Sequence, residues 1–143
     1  MRYSLFRKSD MIESFSLYLI CFLSDTLLSF SKFLKLENNS IVYVFLKSIS
    51  DFQIMIVIFL SLLIIVFHYK FLLKRKTEIF CRVLVGDTKS AIKRRYIVHN
   101  LSILFISFLL ILMLNLIIQI NPLSNLYLLS IFVIYILVAM NKV

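Results

Sequence analysis

The sequence predicts an all-α, polytopic transmembrane protein with four spans, or three if its first apolar stretch lies along the interface, plus a short cytoplasmic coupling helix. Three observations carry this. Of the 143 residues, 62% are hydrophobic, well above the share of about 45–50% in soluble domains. A soluble chain of this size has too much surface for its volume to hide so much apolar area. The apolar runs are continuous rather than alternating, which excludes short barrel strands. The charge is gathered into one stretch between long uncharged ones.

That stretch is residues 70–95, KFLLKRKTEIFCRVLVGDTKSAIKRR, with nine basic residues against two acidic ones, Glu78 and Asp87. Each Lys or Arg at a bilayer centre costs about 2.5–3.5 kcal/mol. Residues 71–96 therefore read as a cytoplasmic loop, and the other segments take their direction from it. The net charge of +9 is then a positive-inside signal rather than a nucleic-acid footprint.

Residues 1–10, with Arg2, Arg7 and Lys8, read as a cytoplasmic N-terminus. No small-x-small cleavage site follows, so no signal peptide is expected. Residues 11–36 are long enough to span but carry Asp25 and Lys32. They form either a first span with Asp25 facing other helices or an amphipathic helix in the interface. Residues 37–51 are a short extracytoplasmic connection. It opens on the turn-like Glu37-Asn38-Asn39-Ser40, and a helix starting at Ile41 runs on into the next span.

The remaining residues, 52–143, form a unit with spans at 52–70, 97–120 and 123–140. Phe52 to Tyr69 holds no Lys, Arg, Asp or Glu, and eighteen residues rise about 27 Å. Residues 74–86 read as a short amphipathic helix stopped by Gly86, whose missing Cβ permits the left-handed closure. Asp87 or Thr88 then caps the next helix. From Tyr96 to Asn141 no residue is formally charged. Asn121-Pro122 divides this run into a hairpin with a short outer loop. Lys142 returns the C-terminus to the cytoplasm.

No catalytic, cofactor-binding or metal site is expected, and the chain is not expected to be an enzyme. A phosphate-cradling loop needs several glycines, and the chain has one, Gly86. Cys21 and Cys81 lie on different segments, and His68 and His99 have no partner at ligand spacing.

Arg75-Lys76-Thr77-Glu78-Ile79-Phe80-Cys81-Arg82-Val83-Leu84-Val85-Gly86, followed by Ser90-Ala91-Ile92, resembles the signature of FtsX/MacB-like permeases of ABC transporters. That pattern runs R-[RK]-x-E-I-x-x-[RK]-x-x-L-G-A. Arg75, Glu78, Ile79, Arg82 and Gly86 match it, over a region of residues 50–143. Leu84 stands one place early, and Asp87 replaces a small residue. The large extracytoplasmic domain usual in the family has room for only about fifteen residues here, so the chain resembles a short, split or truncated member. The resemblance implies a membrane subunit in the cell membrane, as a homodimer or beside a partner permease, with cytoplasmic ATPase subunits beneath. Its coupling surface would be Arg75, Lys76, Glu78, Ile79, Arg82, Leu84 and Gly86, and its cargo a bacteriocin-like peptide, a lipid or an envelope process. The alternative is a small stand-alone membrane protein of the bacteriocin-immunity or holin-like kind. Neither involves nucleic acid.

Overall fold

A computed structural model describes residues 8–33, 41–121 and 125–140. The Asn38-Asn39-Ser40 turn, Pro122, Lys142 and most of the basic N-terminus lie outside these. The described chain is helical throughout: α1 Lys8–Phe33, α2 Ile41–Asp51, α3 Gln53–Leu84, α4 Lys89–Ile118 and α5 Leu126–Met140. The protein is a multi-span helical membrane protein. Three helices, α1, α3 and α4, are long and apolar enough to cross a bilayer, and α5 is shorter.

α1 is the axis of the bundle and packs against α2, α3 and α4. It carries the most buried of the candidate spans, and Tyr18, Phe22 and Asp25 are all shut away from its surroundings. Asp25 thus faces the other helices, the first of the two alternatives above. Side-chain contacts set the directions. Asp10 meets Arg75 and Tyr18 meets His68, so α1 and α3 run antiparallel. Tyr96 reaches Tyr18 through His68 while Phe108 meets Phe22, which makes α4 parallel to α1, and Phe132 meets Tyr18 while Tyr127 meets Asp25, which makes α5 antiparallel. The main core joins Tyr18 and Phe22 of α1 to Leu104, Leu128 and Phe132, with Phe22 edge-on to both Phe108 and Phe132. A smaller core of Phe71, Ile92 and Tyr96 closes the basic end. Many large apolar side chains outside these cores remain exposed, Ile54, Phe59, Met113 and Ile117 among them. A lipid-facing surface has this character.

Two boundaries differ from those expected. First, residues 74–84 are the last turns of α3 and not a separate helix. The charged residues mark where water begins, yet Lys, Arg and Glu are good helix formers, and nothing breaks the backbone before Gly86. At 32 residues, α3 is about 48 Å long, well beyond a hydrocarbon core of about 30 Å. Second, α4 closes at Gln119 (φ 61), ahead of Asn121-Pro122. The N–H of Ile120 donates to the Asn115 carbonyl (3.0 Å) and that of Gln119 to Leu116 (3.4 Å). Together they form the paired closure that usually uses glycine at the left-handed position.

The α3–α4 turn follows the same logic with the favoured residue in place. Gly86 has φ 102. Its N–H donates to Val83 (3.1 Å), and the Asp87 N–H donates to Arg82 (3.0 Å). Thr88 is the residue that caps α4, its Oγ1 accepting from the Ala91 N–H at 3.3 Å. α2 and α3 meet at Phe52, which interrupts the helix for one residue, so the expected continuous helix from Ile41 has a joint.

Candidate functional site

Two features stand out: a line of polar side chains inside the bundle and the charged hairpin at one end. The line begins on α1. Asp10, Ser14, Tyr18 and Asp25 recur at spacings of 4, 4 and 7, which puts them on one helical face. All four are buried. At 1.5 Å per residue the fifteen steps from Asp10 to Asp25 cover about 22 Å. Buried polar groups inside a membrane bundle are costly unless paired; α3 supplies a partner at each of the three levels, joined by α4 at the middle one and by α5 at the far one.

At the basic end, Arg75 donates through Nη2 to Asp10 Oδ2 and through Nη1 to Glu78 Oε2 (2.7 Å). Glu78 Oε1 also accepts from Arg82 Nη2 at 3.1 Å. The Arg75 and Asp10 side chains are each 7% exposed, and the guanidinium lies over the Phe71 ring. At the middle level, His68 is held between two phenols. Its Nε2 lies 2.6 Å from the Tyr18 hydroxyl and its Nδ1 lies 2.8 Å from that of Tyr96. A neutral imidazole has one donor and one acceptor, so one phenol donates to it and the other accepts from it. Tyr135 packs on the ring and donates its own hydroxyl proton to the Ile65 carbonyl. At the far end, Asp25 Oδ1 accepts from the Tyr127 hydroxyl (2.7 Å) and from Gln53 Nε2 (3.0 Å). Beside it, Asn125 Nδ2 donates to Thr26 Oγ1 at 2.9 Å.

The hairpin holds the residues singled out from sequence. Arg75, Glu78 and Arg82 come together on one face, with Glu78 clamped between the two guanidiniums. Arg75 is turned inward to α1 and offers no charge to an outside partner. Ile79 packs against the small core. Lys76 is exposed and lines, with Tyr69, Leu72, Ile79, Tyr135 and Val138, a groove of about 290 Å³ between α3 and α5. Leu84 is 71% exposed at the helix end, away from the Arg75–Glu78–Arg82 cluster, and Gly86 makes the turn. Phe80 (63%) and Val85 (90%) are the further exposed apolar residues at this tip. Arg95 pairs with Asp87 across the turn at 3.1 Å.

Sequence reasoning missed Asp10, Tyr18, Gln53, Tyr96, Asn125 and Tyr127, and for His68 it looked only for metal-ligand partners and found none at ligand spacing. The helical spacing of Asp10, Ser14, Tyr18 and Asp25 was the available signal. Among the described residues no group of three His, Cys, Asp or Glu side chains gathers to hold a metal. No protein family matches this chain, and neither a characterised protein nor a solved structure matches it.

Proposed function

We propose that this membrane protein is the spanning subunit of an ABC-type assembly and that its α3–α4 hairpin docks a cytoplasmic ATPase. The observation behind this is the tip of the hairpin. α3 outruns a bilayer core by about 18 Å, and at its end Phe80, Leu84 and Val85 are exposed among Lys76, Lys89 and Arg94. Such a surface beyond the lipid fits an acidic partner with an apolar groove. The similarity of residues 75–86 to the FtsX/MacB-like signature names the class of partner. Arg75, Glu78 and Arg82 then act as the brace that ties the hairpin to α1. A push on the tip would travel through Arg75 and Asp10 into the axial helix as a rigid-body movement.

The inward turn of Arg75 favours a second reading, a stand-alone membrane protein of the immunity or holin-like kind, in which the motif positions serve only to brace the bundle. Mild cross-linking and affinity purification of the full chain from cells that make it separates the two. The docking reading predicts a co-purifying nucleotide-hydrolysing protein that is lost with Leu84→Asp or Phe80→Asp while the variants stay inserted. Failure to recover any such protein with the wild type would leave the stand-alone reading.

A further inference from the structure

We propose that the end of the bundle opposite the basic hairpin holds a small monovalent inorganic cation of the sodium class, between Asp25 and Asn125. Two buried oxygen atoms there have no donor: Asp25 Oδ2 and Asn125 Oδ1. Both residues are essentially inaccessible, at 0% and 1% exposure.

The orientation of each group is fixed by its neighbours. The Thr26 hydroxyl has one proton, and it donates that proton to the Phe22 carbonyl (2.9 Å). Toward Asn125 it can therefore only accept, so the amide nitrogen must face Thr26 and the amide oxygen must point elsewhere. On Asp25, the Tyr127 hydroxyl and the Gln53 amide both donate to Oδ1, and Oδ2 is left bare. Thr26 follows Asp25 in the chain, and Tyr127 lies two residues beyond Asn125. The two cross-links Asp25–Tyr127 and Thr26–Asn125 thus pin both bare oxygens to one junction of α1 with the start of α5. Asn115 is at the same end. From the Phe22–Phe108 contact, the α1–α4 register places it about one turn beyond Thr26. It is buried, and both of its amide atoms are unpaired.

Each buried acceptor without a donor needs something positive or protic beside it, and one ion at this junction would serve both. None of the ion pairs among the described residues includes Asp25, so an ionised carboxylate here has no cationic side chain among them to offset it. The two helix termini nearby, the end of α4 and the start of α5, present partial charges of opposite sign that offset each other. One carboxylate oxygen with one or two amide oxygens is a hard-oxygen ligand set of low total charge. Such a set suits a singly charged ion better than a divalent one, which would leave excess positive charge.

The test uses the full chain purified in detergent, with thermal unfolding followed by circular dichroism in NaCl, LiCl, KCl or choline chloride at one ionic strength. The expected result is a saturable rise in Tm with at least one small inorganic cation over choline. It should be absent in Asp25→Asn and retained in the surface control Asp87→Asn. Equal Tm values in all four salts would overturn the proposal from the wild type alone, whatever the variants do. An equal rise in Asp25→Asn, or a stabilisation that follows only pH and appears fully in choline, would also overturn it, the latter by giving the bare oxygen to a proton.

Discussion

Replacing Asp10 by Ala strands the Arg75 guanidinium inside the bundle. Arg75 is 6% exposed and its charge is shared between Asp10, equally buried, and Glu78, whose side chain is 35% exposed. Removing one partner from a buried pair costs about 3–5 kcal/mol. Glu78 stays in place, so the expected loss is the low end, about 3 kcal/mol. At tenfold per 1.4 kcal/mol that is more than a hundredfold in the folding equilibrium. A shift of about 2–4 °C per kcal/mol makes it about 6–12 °C in Tm. The double variant Asp10→Leu/Arg75→Met replaces both charges by apolar groups and should regain most of the loss, because the pair as a whole contributes little net stability. Circular-dichroism melts of wild type, Asp10→Leu, Arg75→Met and the double in one detergent complete the cycle, with Asp10→Ala measured beside them. If Asp10→Ala costs under about 1 kcal/mol, or the double is simply the sum of the singles, Arg75 is not held as described and the link from hairpin to axial helix fails.

Other outcomes follow from single residues. Gly86→Ala should cost about 1–2 kcal/mol through backbone conformation alone: φ is 102 and an added Cβ would meet nothing within 4 Å. Gln119→Gly should do the opposite and stabilise by about 1 kcal/mol, since Gln119 already occupies a left-handed position (φ 61). Thr88→Ala removes the cap on α4 and should cost about 1 kcal/mol. All three are read by the same melts. A small thiol reagent should modify Cys81 rapidly in the folded protein and leave Cys21, which is 1% exposed, untouched until unfolding.

What was legible in the sequence was what depends on near neighbours or on bulk composition. The helical membrane class follows from the uncharged runs. Gly86 and Thr88 act within a few residues of themselves, so the stop could be read directly and the cap narrowed to Asp87 or Thr88. The continuity of α3 was misjudged because charge reports the water boundary, whereas only Gly86 interrupts the backbone. The polar line could not be assembled from sequence, because its members are far apart: Tyr18 and His68 are separated by 50 positions, Asp10 and Arg75 by 65, Asp25 and Tyr127 by 102. Their pairing depends on the register of whole helices. The helical spacing of Asp10, Tyr18 and Asp25 could show that α1 has a polar face, but not which residues meet it.

Cross-linking from Cys81 tests the docking of the hairpin most directly. The thiol is exposed on α3 between Phe80 and Arg82, so a short thiol-directed photo-cross-linker placed there reaches only what touches the tip. Docking predicts a covalent adduct with a nucleotide-hydrolysing cytoplasmic protein, absent from Leu84→Asp. Adducts with lipid or with other copies of this chain alone, or labelling of Cys81 by an impermeant reagent from outside intact cells, would contradict it.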